Sequence, residues 1–426
     1  MVELSAIQIT EGESAPFNLA QLAQMIEYHS SVFVKLEPED ASFLRSKLHF
    51  PVVLPLQDGL HQVEPGPQVC RAVLPCSGAE VMVRPKLDIR NVFDMLGVAY
   101  GLYTERHPHA FDVGSDVGYN IAPDLFETLV RHFLDLIEEK LRFGLMADYI
   151  VCEENLSTIR GRIAFEHHIE NNLVRRDRIF CRFSEFLRDI PENQVLLWAL
   201  FSLSRVGFWT DETRQRTFAA VRQFHGVSLT PFRKGGFPVF HYHRLNDGYR
   251  ELHRWAKLFV DAAAFSDKPG DFTFRGFVLN MNELFEDFVT QAFLNDAGDF
   301  EIEPQRTHRL FDKRTDTIKP DIFILRNGMP VAVVDAKYKR TKEEEFKNFD
   351  VYQVISYATA IGIDRAFLLY PDIECDHAWE GNVLNSPIRV AVKTVSLSQP
   401  GVSMRDQAQT LAKKVLNELT VEAALR

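Results

Sequence analysis

The sequence predicts a multidomain chain of mixed α+β and α/β class, and three observations carry that reading. At 426 residues it exceeds what one hydrophobic core ordinarily serves, so two or three domains are expected. Its apolar pattern changes twice. Short strand-like runs punctuated by Pro and Gly fill 1–87, helical spacing dominates 88–270, and helices and strands alternate through 271–426. Finally, two apolar runs, 321–325 and 330–339, flank Asn327-Gly328, a strong signal for a two-residue hairpin.

Composition narrows the class further. The chain is 46% hydrophobic and 25% charged, as expected of a globular protein. It holds no run of ~18 apolar residues and opens without a basic flank or apolar signal segment, so a cytoplasmic protein is expected. Five scattered cysteines without a Cys-x-x-Cys pair indicate neither a disulfide framework nor a cysteine zinc site. A net charge of -11 excludes a protein that coats nucleic acid by bulk electrostatics, since phosphate binding needs clustered Lys and Arg.

In chain order, Ser31–Leu36 and Pro51–Leu56 read as strands and Asn18 to His29 as a helix, giving a small β-rich N-terminal domain. Ile89, Val92, Phe93, Leu96, Ala99 and Tyr100 recur at helical spacing, as do Leu125, Leu129, Phe133, Leu136, Ile137 and Leu141. Between Tyr149 and Phe165 the helices are interrupted by Ile159-Arg160-Gly161-Arg162-Ile163, where a Gly between two Arg predicts a turn or a close backbone approach. Helices are expected again over Asn193–Val206, Gly248–Phe265 and Phe277–Ala297, the last with Leu284, Phe285, Phe288, Val289 and Phe293 on one buried stripe. Strands at 300–303, 309–311 and the hairpin follow. A charged stretch at 339–347, a helix over Phe349–Ile361, strands at 366–370 and 388–395, and a helix over Met404–Leu419 close the chain.

The chemistry concentrates in the hairpin. Asp321 opens one strand and Asp335 lies in the other, among Val, Ile, Phe and Ala. A carboxylate there is costly to bury as an ion without a positive counterpart. Lys337 follows Asp335 by two positions, so the strand period puts both on one face. Two carboxylates beside an ammonium suit Mg²⁺ or Mn²⁺, which keep several waters, and the Lys can orient or deprotonate one of them as nucleophile. The competing reading is a cross-strand ion pair on a solvated face, but Val331 to Val334 make both strand faces apolar. Gln353 and Tyr357 lie one helical turn apart, on one face of the following helix.

Pro320-Asp321 followed by Asp335-Ala336-Lys337 resembles the PD-(D/E)xK nuclease signature. The blocks Arg90–Leu96, Ile159–Ile163, Asp189–Asn193, Met281–Glu286, Val333–Tyr338 and Leu368–Pro371 further resemble, in order, those of the McrC family, the nuclease subunit of McrBC modification-dependent restriction systems. The resemblance runs from about Asp88 onward and leaves residues 1–87 without a matched role beyond possible partner docking. It implies a restriction-endonuclease-like α/β domain over 271–426 and a middle region in contact with a partner. It also implies a Mg²⁺-dependent endodeoxyribonuclease, with Asp321, Asp335, the Ala336 carbonyl and Glu286 at the metal, Lys337 orienting water, and Gln353 and Tyr357 shaping the site. The implied partners are an McrB-type AAA+ hexamer and double-stranded, methylated DNA. The partner, not this chain, binds the GTP, and no Gly-x-x-x-x-Gly-Lys-Ser/Thr occurs here.

Arg160 and Arg162 are the candidate contacts to that partner, against the plainer reading of surface arginines around a turn. Arg306, Arg309, Lys313, Arg314, Lys319, Lys337, Lys339, Arg340 and Lys342 form a local basic patch about the acidic pair. A non-catalytic adaptor that keeps the nuclease fold only to bind DNA, and a stand-alone nuclease, are the alternatives. His225, His241, His243 and His253 match no zinc spacing and are expected on helix surfaces. The many Phe residues are expected to pack rather than stack on bases.

Overall fold

The computed structural model describes residues 19–28, 30–102, 125–175, 177–207, 209–265, 274–311, 313–338, 348–372, 379–396 and 404–425. It divides into two compact units, Met1–Lys86 with Ala264–Asn280, and Leu87–Ala263 with Met281–Arg426. The mixed α/β, multidomain class expected from the sequence is what is observed.

The chain begins with β1 (Met25–Ile26), β2 (Val32–Lys35), α1 (Pro38–Ser46), β3 (Val52–Pro55), β4 (Leu60–Glu64), β5 (Gln68–Val73) and β6 (Glu80–Arg84). The expected helix from Asn18 to His29 is not formed. A 3-10 segment covers Leu19–Gln24 and gives way to β1, because Met25 and Ile26 pair in parallel with Val83 and Arg84; Asn18 and His29 themselves lie outside the described residues. β2, β4 and β3 form an antiparallel sheet whose inward Val34, Val53 and Val63 share a core with Phe43 and Leu44 of α1. Asp40 is fully buried, yet its two oxygens accept from the backbone amides of Cys76 and Ser77 at 2.8 and 3.1 Å, which offsets its desolvation.

The second unit opens with α2 (Ile89–Ala99), α3 (Leu125–Phe143), β7 (Asp148–Leu156), β8 (Arg162–Ile163), α4 (Phe165–Asn172), β9 (Ile179–Leu187), α5 (Pro191–Ser204), α6 (Asp211–Arg222) and α7 (Arg250–Asp261). Asp88 caps α2 by accepting from the Arg90 amide at 2.8 Å. The mainly helical region therefore carries a three-stranded antiparallel sheet, β7-β9-β8, and β9 is a strand that the sequence reading missed. Gly161 stands where β8 meets β9. Its φ is +69°, and a Cβ there would lie 2.5 Å from the Arg182 carbonyl oxygen, so both the turn and the close approach require glycine.

Next come β10 (Ala263–Phe265) and β11 (Phe274–Asn280). They complete a five-stranded sheet of order β1-β6-β5-β11-β10. Phe277–Asn280 were expected to begin a helix but instead finish β11, because Gly276 through Asn280 pair antiparallel with Ala72 through Gln68, a partner two hundred residues earlier that no local pattern signals.

The remainder is α8 (Met281–Asn295), β12 (Glu301–Pro304), β13 (His308–Arg309), β14 (Thr317–Ile318), β15 (Ile322–Arg326), β16 (Met329–Ala336), α9 (Asn348–Ile361), β17 (Arg365–Asp372), β18 (Trp379–Asn382), β19 (Arg389–Ser396) and α10 (Met404–Leu425). The sheet runs β12-β15-β16-β17-β19-β18, with β16, β17 and β19 parallel and the rest antiparallel. Strand residues here are buried in near-continuous runs, as a sheet covered on both faces requires. Phe323, Val333, Leu368 and Val390 make one core with Val354 and Ala358 of α9. Leu284, Phe285, Phe288, Val289 and Phe293 of α8 are all buried, in line with the expected stripe and with Phe as packing. Among the described residues no helix is long and apolar enough to cross a membrane.

Candidate active site

Asn327 and Gly328 take φ of +53° and +74°, the paired positive values of a type I′ turn, and this fixes the register of β15 against β16. Ile322 opposes Val334, so Asp321, one residue before β15, lies beside the end of β16. There Asp321 Oδ2 accepts from the Ala336 amide at 2.8 Å. Just past the end of β16, Lys337 Nζ stands 2.6 Å from Asp335 Oδ2, on the side the two-residue period predicts. The structure thus brings Asp321, Asp335, Ala336 and Lys337 together in a setting where Asp335 is 1% and Asp321 6% exposed.

Burial controls the electrostatics. It pushes the Asp335 carboxyl up to about 7; Asp321 opposite adds to this and Lys337 opposes it. Asp321 is raised by burial as well, against the Ala336 amide, Lys337 and Gln305. Glu286 of α8 is pushed up to about 8 by burial and by Asp321, with Asp335 adding and Lys337 opposing. Burial works to lower the Lys337 ammonium, but Asp335 and Asp321 outweigh it and hold its pKa above the ordinary value. Lys337 is therefore a fixed cation at neutral pH, while the acids compete for too little positive charge.

A divalent cation fits that deficit. The Lys337 ammonium beside Asp335 Oδ2 is the cation set against two buried carboxylates and Glu286, which leaves negative charge that a further positive partner would offset. Among the described residues no three His, Cys, Asp or Glu side chains form one ligating group. The nearest carboxylates are the Asp321–Asp335 pair, joined to the end of β16 by the Ala336 amide, and Glu286 is their electrostatic neighbour. Few protein oxygens and several retained waters is the coordination habit of Mg²⁺.

Gln353 donates to the Tyr357 hydroxyl across one turn of α9. Burial first, then Asp335, raises the Tyr357 hydroxyl, which places this pair within the field of the acidic cluster. Arg160 and Arg162 stand apart on the β7-β9-β8 sheet. Arg160 pairs with Glu185 at 3.2 Å and lies 4.1 Å over the Phe183 ring. Arg162 is exposed. His253 is not on a surface as expected: it is 2% exposed, with Nε2 donating to the Glu192 carbonyl and Nδ1 accepting from the Tyr242 hydroxyl, both at 3.0 Å. Burial lowers its pKa to about 4. Of the basic patch, Arg309, Lys313, Arg314 and Lys319 are exposed, and Arg306 pairs with Glu303 at 2.8 Å. Lys339, Arg340 and Lys342 lie outside the described residues.

Sequence reasoning missed three residues here. Gln305 donates to Asp321 Oδ1 at 3.1 Å. Tyr370 of β17 donates to Asp350 of α9 at 2.9 Å with both side chains buried, tying the helix that carries Gln353 and Tyr357 to the strand beside Asp335. Each is a contact between residues distant in sequence, and only the motif Leu368-Leu369-Tyr370-Pro371 hinted at any of them.

No curated protein matches the sequence. One chain of the refined half-complex from the tetradecameric assembly of Thermococcus gammatolerans McrB AAA+ hexamers with bound McrC is 17% identical, covers 85% of this chain and 86% of its own, and superposes with a TM-score of 0.54. A chain of the cryo-EM structure of the Thermococcus gammatolerans McrBC complex is 18% identical over 64% of this chain and 87% of its own, with a TM-score of 0.41. At these identities the first likeness speaks for the fold alone, and the second is too distant to support an argument. The family model of the McrBC 5-methylcytosine restriction system component matches residues 76–371, well over half of the length and the span that contains α2, Arg160, Arg162, Glu286 and the acidic hairpin, and the chain belongs to that family.

Proposed function

We propose that this chain is the DNA endonuclease subunit of an McrBC-type system, cutting modified DNA and stimulating GTP hydrolysis by an McrB-type AAA+ hexamer. The observation that carries the reading is the buried Asp321–Asp335 pair with Lys337 2.6 Å from Asp335. Membership of the McrBC family supports the restriction context. The presence of McrB hexamers with McrC in the structure that superposes at 0.54 supports the partner.

Asp321, Asp335 and the Ala336 carbonyl would hold Mg²⁺ or Mn²⁺, which supplies Lewis-acid neutralisation of charge on the scissile phosphate. Lys337, protonated at neutral pH, orients the attacking water by donating to it and screens the phosphate's charge. Its raised pKa makes it an orienting group rather than a base. Glu286, neutral at neutral pH without a cation, becomes an additional negative group once positive charge is added. Gln353 and Tyr357 hold the Lys337 side of the site in place. Arg162, with its exposed side chain, is the candidate for partner contact, whereas Arg160 braces the turn beneath it.

The test is Asp335→Ala and Lys337→Ala in the complex, scored for cutting of a methylated duplex and for GTP hydrolysis. We expect cutting to fall by at least a hundredfold with GTPase stimulation intact. Cutting at the wild-type rate would overturn the nuclease assignment and leave the adaptor reading.

A further inference from the structure

The ladder between β12 and β15 reaches Pro304 opposite Ile322. One step further, Gln305 faces Asp321, and its amide donates to the Asp321 carbonyl at 2.9 Å. From this point the chain leaves the sheet as a second hairpin, β13 with β14, closed by the Leu310 amide on the Asp316 carbonyl at 3.0 Å. Gln305 therefore sits at the root, joined to Asp321 twice, by its backbone and by its side chain on Oδ1.

Two features separate this contact from an ordinary surface hydrogen bond. Gln305 has φ +54°, a left-handed conformation that costs a residue with a Cβ on the order of 1 kcal/mol and persists only where the surroundings impose it. The hairpin beyond is polarised as well. Ile318 packs inward with the core beneath α9, and His308 Nε2 donates to the Ala360 carbonyl at 3.2 Å, whereas Arg309, Lys313, Arg314 and Lys319 point outward. Residues 305–319 hold five Lys and Arg against two Asp in a chain of net charge -11.

We propose that Gln305 is a positioning residue for Asp321, and that the basic hairpin it anchors grips the phosphate backbone of duplex DNA, so that DNA contact and carboxylate orientation are set at one joint. The proposal rests on the nuclease reading for its substrate but not for its metal-binding consequence. With Oδ2 held by Ala336 and Oδ1 by Gln305, the Asp321 carboxylate is fixed in plane. Releasing Oδ1 frees it to rotate away from Asp335.

Gln305→Gly isolates the side chain, because glycine keeps the left-handed backbone and the bond to the Asp321 carbonyl. In the full-length complex on a methylated duplex we expect kcat to fall about 10- to 100-fold, the usual cost of losing an outer partner of a metal ligand, with KM within twofold. Calorimetric titration of the isolated chain with Mn²⁺ alone should show affinity weakened by a similar factor. The combined Arg309→Ala, Lys313→Ala, Lys319→Ala chain should do the reverse: kcat is kept, KM rises, and the log–log salt dependence of binding to a labelled duplex flattens by ~2–3 units. Wild-type kcat and Mn²⁺ affinity in Gln305→Gly would overturn the positioning role. An unchanged salt slope, or a wild-type complex that binds no duplex, would overturn the grip. A wild-type complex that never cuts sinks the nuclease reading, while the Mn²⁺ titration still decides on Gln305.

Discussion

His253 shows how one buried side chain sets a pH limit on the helical region. Its pKa falls from an ordinary 6.5 to about 4, so between those values the unfolded chain binds a proton that the folded one refuses. Stability is then complete above about pH 6.5 and declines as pH falls toward 4, by on the order of 3 kcal/mol from this group. Urea denaturation at pH 7, 5.5 and 4.5 should show the loss, and His253→Gln should reduce the slope of stability against pH. An identical slope in the variant would remove His253 as its source. Nothing local revealed this burial, because His253 lies among Arg250, Glu251 and Arg254 in a sequence that reads as a solvated surface. By contrast Asp321, Asp335 and Lys337 were legible, since a Pro-Asp pair and an Asp-x-Lys triplet within strand-like runs carry their geometry in a few adjacent residues. Gln305 was not legible: its role depends on facing Asp321 across a ladder, and a lone Gln after Pro says nothing of that.

At the scale of elements, periodicity succeeded where neighbours in sequence are neighbours in space. The hairpin of β15 and β16 and helices α5, α7, α9 and α10 fall near their expected bounds because Asn327-Gly328 and the apolar stripes act locally. β11 was read as helix because a run such as Phe277-Val278-Leu279 is equally apolar in either form. Its pairing with β5 decides the matter. β9 does carry a local signal, since Cys181-Arg182-Phe183-Ser184 alternates buried apolar and exposed polar residues. Its sheet gives the next prediction. Gly161→Ala forces a left-handed residue with a Cβ against the Arg182 carbonyl, at a cost of about 2 kcal/mol or more. It should lower the thermal midpoint and, on the partner role proposed above for Arg162, reduce stimulation of GTP hydrolysis in the complex. A thermal midpoint equal to wild type would show that β8 can shift without strain.

At the scale of the whole molecule, Ala264–Asn280 group with Met1–Lys86 in one compact unit. Residues 1–86 are therefore not a detachable module. Deleting them strips β11 of β5 and leaves an apolar strand with open backbone groups, the usual start of edge-to-edge association. The truncated chain should elute as aggregate in size-exclusion chromatography, and a monodisperse product would show that β10 and β11 find other partners.

The same grouping has a consequence during synthesis. The edge of β5 awaits β11, ~200 residues later, which at ~5–20 residues per second is ~10–40 s of translation. Throughout that interval the nascent N-terminal sheet exposes an incomplete edge, and its stable folding cannot be finished until the ribosome has passed Asn280. A chaperone or a pause between residues 86 and 280 would act on this unit above all others, and a slow codon run placed there should alter the yield of native protein more than the same run placed after residue 300.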